Sequence, residues 1–301
     1  MSRTHTVAVV QATPVLFDQA ATLQKMAALV QEAKQGGAAL VLFPEAFIPC
    51  YPRGLGFGMV VGSRTEAGRT LWQRYWEGAV SIPGPAMDAM SQMAQKHQVY
   101  LVVGIIERSE TGGTLYCTMV YFGPDGSYLG KHRKLKPTGA ERLIWGEGEG
   151  DSLQVYDTPL GKMGGLICWE NYMPLARTAL YQQGIQLYLA PTADARERWQ
   201  SSMQHIALEG RCFVLSANQF VRKADYPTDL QAELSEHPEP FCRGGSVIYS
   251  PMGDVLAGPL WDQEGILFAE LDPDLLIRSK LDFDPVGHYA RPDVFEFRVK
   301  K

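Results

Sequence analysis

Short apolar runs alternate with amphipathic stretches along most of the chain. The apolar runs are rich in Val, Ile, Leu and aromatic residues, a composition that favours buried strands. They lie at 4–13, 38–43, 99–108, 185–191, 212–220 and 265–272. Apolar residues recur at helical spacing at 18–35, 85–96, 174–183 and 196–210. Gly36-Gly37 and Gly184 are typical signals for the end of a helix. The alternation predicts an α/β fold.

Two further segments have the pattern of β-hairpins. The turn Pro124-Asp125-Gly126 separates two apolar runs in 114–135, and Met252-Gly253-Asp254 does the same in 243–258. Such hairpins argue against a purely parallel Rossmann or barrel sheet. With no Pro-, Ser- or Gly-rich linker, we expect one domain over residues 1–301. From about residue 282 the periodicity is weak, and we expect this tail to lie on the surface or across a neighbouring subunit.

Composition and charge narrow the classes of function. The net charge of −5 comes without any basic block, so neither a nucleic acid nor a membrane is an expected partner. The apolar runs are too short to span a bilayer, and the N-terminus lacks the pattern of a signal peptide. Five cysteines without a C-x-x-C pair predict reduced thiols, no structural metal and a cytoplasmic protein.

Cys168 is the best-placed nucleophile of the five cysteines. It follows the apolar residues of 161–167, and a predicted helix begins near Pro174. A thiol at a helix N-terminus has a lowered pKa, because the helix dipole stabilises the thiolate. We therefore expect Cys168 to be a reactive thiol, with a buried core cysteine as the alternative.

Two charged residues also stand at the ends of predicted strands. Glu45 follows the fully apolar run 38–43 and Pro44, where a partly buried carboxylate can act as a general base. Lys134 lies in the charged run 131–136, most of which reads as a solvated face. One inward-pointing lysine would stabilise a developing negative charge.

Taken together, the three segments carry a family resemblance. LFPEAF (42–47), HRKLKPTGAER (132–142) and GLICWENYMP (165–174) resemble, in order and spacing, the motifs of the nitrilase superfamily. The Cys-Trp-Glu sequence at 168–170 is similar to the nitrilase branch rather than the amidase or carbamoylase branches. APTAD (190–194), HIALEGR (205–211) and DPVGHYARPDVF (284–295) also resemble nitrilase segments.

The resemblance implies a four-layer αββα sandwich with a Glu45–Lys134–Cys168 triad. It adds Glu141 as a second glutamate beside the triad, and it needs no metal or organic cofactor. Neighbours of these motifs are expected to bind substrate: Trp169, Tyr51, Trp145 and Thr192. Family members often carry a longer C-terminal tail tied to spiral assembly. We therefore expect a homodimer or a higher homo-oligomer, but not long filaments.

The function implied is hydrolysis of an organic nitrile by two waters to a carboxylic acid and ammonia. A thioimidate and then a thioester would form on Cys168. An amidase or carbamoylase, a cyanide-hydrating enzyme and a catalytically idle scaffold remain open alternatives. Glu170 either caps the helix after Cys168 or adds negative potential that favours loss of ammonia. The sequence does not define which nitrile is bound.

Overall fold

Two mixed β-sheets lie face to face between two layers of helices in the computed structural model, which describes residues 4–300. The strands are β1 (His5–Gln11), β2 (Leu40–Leu42), β3 (Met59–Val60), β4 (Ser63–Arg64), β5 (Val80–Ser81), β6 (Tyr100–Arg108), β7 (Leu115–Phe122), β8 (Tyr128–Arg133), β9 (Met163–Gly165), β10 (Leu187–Leu189), β11 (Phe213–Ser216), β12 (Phe220–Val221), β13 (Cys242–Tyr249), β14 (Val255–Trp261) and β15 (Gly265–Leu271). The helices are α1 (Gln19–Gln35), α2 (Glu66–Gly78), α3 (Pro85–His97), α4 (Pro174–Gln182), α5 (Arg198–Gly210), α6 (Thr228–Gln231) and α7 (Asp274–Arg278).

Each sheet combines parallel strands with antiparallel neighbours. The first has the order β15-β1-β2-β6-β7-β8, with β5 beside β6, and β1, β2 and β6 are parallel. The second has the order β12-β13-β11-β10-β9, with β14 beside β13, and β9, β10 and β11 are parallel. The predicted hairpins are the antiparallel pairs β7–β8 and β13–β14.

In the described part of the chain, 4–300, three apolar cores hold the four layers together. The central core joins the inner faces of both sheets, with Leu42 from the first and Leu189 from the second. A second core packs α1 and α3 on the first sheet, and a third packs α4 and α5 on the other. Because each sheet is covered on both faces, its parallel strands read as continuous apolar runs. The predicted αββα sandwich is confirmed.

The sequence pattern predicted the bounds of α1 closely but missed other elements. Asp18 caps α1 by accepting a hydrogen bond from the Ala21 N–H at 2.9 Å, and Gly37 at φ 86° follows the last turn. The small β3–β4 hairpin and α2 were not predicted. The expected strand 212–220 is two strands, β11 and β12, because residues 217–219 between them leave the sheet.

The C-terminal tail, 282–300, has neither helix nor strand. It runs over the surface, where Phe297 packs against the α4–α5 core and Phe295 is exposed. Whether it crosses a subunit interface stays a prediction, as does the single domain. Within residues 4–300, none of the helices is long and apolar enough to cross a membrane.

Candidate active site

A cavity of about 640 Å³ opens where the carboxyl ends of strands from both sheets meet. Glu45 follows β2, Lys134 follows β8 and Cys168 follows β9, so the chain delivers each of them from a strand end. Open α/β sheets commonly bind ligands at such ends. The cavity lining includes Tyr51, Arg53, Thr138, Glu141, Cys168, Trp169, Asp194, Arg196 and Phe241.

Cys168 sits on a tight bend held from several sides. Its φ is 51°, a left-handed conformation that is strained for a residue with a Cβ. The Cys168 N–H donates to the Pro191 carbonyl at 2.8 Å, and the Asn171 amide donates to the Cys168 carbonyl at 2.8 Å. The Thr192 hydroxyl lies 3.2 Å from the sulfur. These contacts fix the thiol against the cavity.

The expected lowering of the Cys168 pKa by a helix N-terminus is wrong. Cys168 opens a single 3₁₀ turn, Cys168–Tyr172, and α4 begins only at Pro174. Burial raises the pKa of the thiol, and the nearby charge of Glu45 raises it further, whereas Lys134 and Thr192 lower it. The resting sulfur is therefore a protonated thiol that needs a base to become a nucleophile.

Glu45 is a fully buried carboxylate at the tip of β2. Its loop lies against Gly104, where a Cβ would come within 2.2 Å of the Pro44 carbonyl, so only glycine permits this approach. The Gln219 amide donates to the Glu45 carbonyl at 2.7 Å from the bend between β11 and β12. Glu45 Oε1 accepts a hydrogen bond from Lys134 Nζ at 2.7 Å, and Oε2 has no hydrogen-bond partner within residues 4–300.

Lys134 is the inward-pointing lysine of its charged run. Its Nζ donates to Glu45 and to Glu141 Oε2, each at 2.7 Å, and its side chain is 1% exposed. Its neighbour Lys136 pairs with Glu147 on the exposed surface. The expected solvated face is wrong for most of the run, because His132 is buried and Lys131 and Arg133 are half-buried against Glu107. Burial lowers the pKa of Lys134, but the surrounding anions outweigh burial and raise it well above the usual value. The ammonium is therefore permanent.

One ammonium between two carboxylates leaves an excess negative charge in a buried site. Burial raises the pKa of Glu45 above its usual 4.5, and Glu141 adds to the shift, while Lys134 opposes it. A carboxylate with a raised pKa is a better proton acceptor near neutral pH. Glu45 thus combines a free oxygen atom with a raised affinity for a proton.

The second glutamate lies beside Lys134, as expected. Glu141 Oε1 accepts from the Tyr51 hydroxyl at 2.7 Å, and Oε2 also accepts from the Thr138 N–H at 2.6 Å. Tyr51 lines the cavity, whereas Trp145 packs edge-on beneath Tyr51, with ring centroids 5.7 Å apart. Trp145 is almost completely buried and lines a smaller neighbouring cavity.

The two other expected binding residues take different places. Trp169 is 39% exposed in the cavity, and its indole N–H donates to Asp194 Oδ2 at 2.9 Å. Thr192 is fully buried and contacts the Cys168 sulfur from behind. The structure therefore places Trp169 and Tyr51 in the cavity lining, where a ligand would reach them. Thr192 instead contacts Cys168, and Trp145 packs against Tyr51.

The sequence reasoning missed several residues that line the cavity. Arg53 donates to the Ala193 carbonyl, and within residues 4–300 no carboxylate lies within 4 Å of its guanidinium. Asp194 pairs with Arg196 and supports Trp169. Asp194 lies in APTAD (190–194), a segment that resembles nitrilases, so the resemblance could have identified it as a site residue. Phe241 lies in a loop for which no resemblance was noted.

The part of the chain that the structure describes, 4–300, contains no cluster of His, Cys, Asp and Glu arranged to hold a metal ion. All five cysteines are free and buried.

Known sequences similar to this chain cover nearly its whole length. The carbon-nitrogen hydrolase family matches residues 6–280. The bifunctional nitrilase/nitrile hydratase NIT4B of Nicotiana tabacum is 54% identical over 97% of this chain and 85% of its own. An aliphatic nitrilase of Sinorhizobium fredii is 52% identical over 97% of this chain and 94% of its own. Nitrilase 2 of Arabidopsis thaliana is also 52% identical, over 97% and 88% of the two chains.

Solved structures share the fold at low sequence identity. Saccharomyces cerevisiae Nit3, a member of branch 10 of the nitrilase superfamily, has a TM-score of 0.76 at 22% identity and covers 97% of this chain and 98% of its own. An amidase from Nesterenkonia has a TM-score of 0.66 at 21% identity over 92% and 94% of the two chains. Because the family match extends over most of the residues and the sequence relatives exceed 50% identity, the chain belongs to the carbon-nitrogen hydrolase family.

Proposed function

We propose that this protein is a nitrilase, which hydrolyses an organic nitrile to a carboxylic acid and ammonia. The observation that carries the proposal is the buried cluster of Cys168, Glu45 and Lys134 at the cavity, in a chain about half identical to proteins named as nitrilases. A reactive thiol, a base and a fixed cation are the groups that covalent hydrolysis of a weak electrophile requires.

In the first half of the proposed reaction, the Cys168 thiol transfers its proton to Glu45 as the sulfur attacks the nitrile carbon. The free Oε2 of Glu45 is the available acceptor. The proton then passes to the nitrile nitrogen, so a thiol and a nitrile become a neutral thioimidate. Because the pKa of Glu45 is raised from 4.5, acid would block this step by protonating the carboxylate, and we place the acid limb of activity above pH 4.5.

In the second half, water adds to the thioimidate with Glu45 as the base. The tetrahedral species loses ammonia and leaves a thioester, which a second water hydrolyses to the acid and the free thiol. Lys134 and the backbone N–H of Trp169 are the proposed donors to the developing negative charge. One such donor is typically worth about 10²–10³ in rate. Glu141 supports Lys134 through the 2.7 Å contact.

The tetrahedral species after the first water has two exits. Loss of ammonia gives the acid, and loss of the thiolate gives an amide. The name of the Nicotiana tabacum relative includes both nitrilase and nitrile hydratase, so release of some amide is the second candidate outcome. An amine leaves well only when protonated, and Glu45 is the candidate donor of that proton.

The test is a panel of aliphatic, aromatic and arylacetonitrile substrates, with cyanide and the matching amides alongside. Ammonia, acid and amide are measured for each compound. We expect acid and ammonia in equal amounts from at least one nitrile. Turnover of the amides without any nitrile turnover would select an amidase, mainly amide from nitriles would select a hydratase, and no turnover of any compound would favour the idle scaffold.

We also propose a cytoplasmic homo-oligomer with a dimer as its smallest form. The exposed apolar side chains Leu175 on α4 and Leu208 on α5 support the proposal, because both helices form one outer layer. Light scattering under assay conditions is expected to give at least twice the chain mass of 33.4 kDa. A mass of one chain would refute the oligomer and leave the chemistry untouched.

A further inference from the structure

Behind the cavity, a single buried carboxylate connects the segments that carry Lys134 and Cys168. Glu170 Oε1 accepts the N–H of Leu135 at 2.6 Å, and Oε2 accepts the N–H of Ile167 at 2.7 Å. Leu135 directly follows Lys134, and Ile167 directly precedes Cys168. Glu170 is 1% exposed, so these hydrogen bonds do not compete with water. Any movement of this carboxylate would therefore shift both groups relative to each other.

The third partner of this carboxylate is His132 on β8. His132 Nε2 lies 3.0 and 3.1 Å from the two Glu170 oxygens. Its other nitrogen, Nδ1, lies 3.2 Å from the Ser152 carbonyl and 3.1 Å from the Ser152 hydroxyl. That hydroxyl donates its own proton to the Glu149 carbonyl at 2.8 Å, so it can only accept from Nδ1. Both ring nitrogens therefore face acceptors, which requires a proton on each.

Within residues 4–300, His132 is the one cationic side chain within 4 Å of a Glu170 oxygen. Besides His132, the charge of Glu170 acts on Tyr121, Tyr188 and Cys117, and burial raises the pKa of each of these three, so all three are neutral near pH 7. Burial lowers the pKa of His132, but the charge and hydrogen bond of Glu170 outweigh burial, and the net shift is upward. Geometry and charge balance both favour the imidazolium.

We propose that His132 and Glu170 form a permanent imidazolium–carboxylate pair that positions the cation Lys134 and the nucleophile Cys168 relative to one another. Within residues 4–300, Glu170 does not line the cavity and makes no hydrogen bond to the Cys168 sulfur, so it is a positioning residue. Its carboxylate holds the Ile167 N–H at the strained bend that begins at Cys168, and His132 places a positive charge 3.0 Å from that carboxylate. The role in catalysis rests on the proposed nitrilase function, whereas the charge state of the pair does not.

The charge state can be tested on the resting protein. Nitrogen-15 NMR of histidine-labelled protein is expected to show one imidazole with both nitrogens protonated and unchanged between pH 6 and 8. Exposed imidazoles with an ordinary pKa of about 6.5 titrate in that interval. The signal is assigned by its loss in His132→Gln. A neutral tautomer of His132 at pH 7 would overturn the permanent pair, whatever the enzyme hydrolyses.

The positioning role is tested with Glu170→Gln and a matched control, Glu107→Gln. A glutamine at 170 has one acceptor oxygen, and its amide group opposes one of the two backbone N–H donors. We expect kcat to fall by about 10²-fold, the typical effect of displacing reacting groups by about 1 Å, with KM changed far less. Alkylation of Cys168 by iodoacetamide, measured without substrate, is expected to slow as well.

Glu107 is a fitting control because it too is a buried carboxylate paired with cations of β8. It contacts Lys131 at 2.6 Å and Arg133 at 2.9 Å, the residues on either side of His132, but not the Cys168 segment. Glu107→Gln is expected to lower stability while leaving kcat and the alkylation rate within about threefold. Equal losses of kcat and alkylation rate in both variants would mean that Glu170, like Glu107, only stabilises the fold around β8, and would overturn the proposal.

Two outcomes separate this proposal from the proposed function. If the wild-type protein hydrolyses no nitrile, the nitrilase assignment fails, but the alkylation rates still test the positioning of Cys168. If Glu170→Gln does not fold, His132→Gln replaces it. That variant leaves a buried carboxylate without its cation, and the same loss of kcat and alkylation rate is expected. Wild-type kcat in a folded His132→Gln protein would refute the pair.

Discussion

Replacing Cys168 with alanine is expected to abolish nitrile turnover while the fold survives. Every covalent intermediate of the proposed reaction is attached to this sulfur, and loss of a nucleophile costs on the order of 10⁶-fold in kcat. The substitution removes one buried atom, for which we expect about 1 kcal/mol of lost stability against the ~5–15 kcal/mol typical of a folded domain. Circular dichroism and thermal unfolding of the variant check the fold.

The chemical identity of the nucleophile is tested by labelling the wild-type protein. All five cysteines belong to the apolar cores, but within residues 4–300 Cys168 is the one that also lines the main cavity. Brief exposure to iodoacetamide is expected to modify Cys168 first, as read by peptide mass. Faster modification of Cys50 or Cys242, with Cys168 unreacted, would contradict the assignment.

The strand ends were predictable because local sequence and tertiary structure agree there. A fully apolar run predicts a strand buried on both faces, and a polar residue directly after it must lie at the sheet edge. That reasoning found Glu45 after β2 and the bend at Cys168. It also produced the wrong pKa for Cys168, because it assumed that a helix begins at the thiol. The 3₁₀ turn and the burial that raises the thiol pKa depend on packing from both sheets.

Partners that are distant in sequence were not predictable from the residues alone. Lys134 stands in a run of five basic residues in six, and nothing local distinguishes it from Lys136. Its inward direction follows from the alternation of β8 and from two carboxylates 89 and 7 residues away. The resemblance to nitrilases supplied that pairing. The resemblance supplied no role for His132, because its hydrogen-bond acceptors, Glu170 and Ser152, are distant in sequence and lie beside it only in the folded structure.

Neutralising Glu45 is expected to have the second-largest effect on turnover. Glu45→Gln keeps the shape of the side chain, and its oxygen can still accept from Lys134, so the fold is expected to survive. The variant has no group that can take the proton of the Cys168 thiol, whose raised pKa keeps it protonated at rest. We expect kcat/KM to fall by about 10²–10⁴-fold, the usual contribution of general acid–base catalysis.

The matched control is Glu141→Gln, because Glu141 accepts a hydrogen bond from the same Lys134 Nζ at the same distance of 2.7 Å as Glu45. Both variants remove one negative charge next to the ammonium, so an effect exerted only through Lys134 would be similar in the two. Proton transfer separates them: Glu141 has both oxygens occupied, by Tyr51 on one side and by Lys134 and the Thr138 N–H on the other, whereas Glu45 has a free Oε2. We therefore expect Glu45→Gln to lose at least tenfold more kcat/KM than Glu141→Gln.

Single-turnover mass spectrometry should find no covalent adduct on Cys168 in Glu45→Gln, because the first step already needs the base. Equal losses in the two variants, or a normally formed adduct in Glu45→Gln, would mean that the thiol gives its proton to another group.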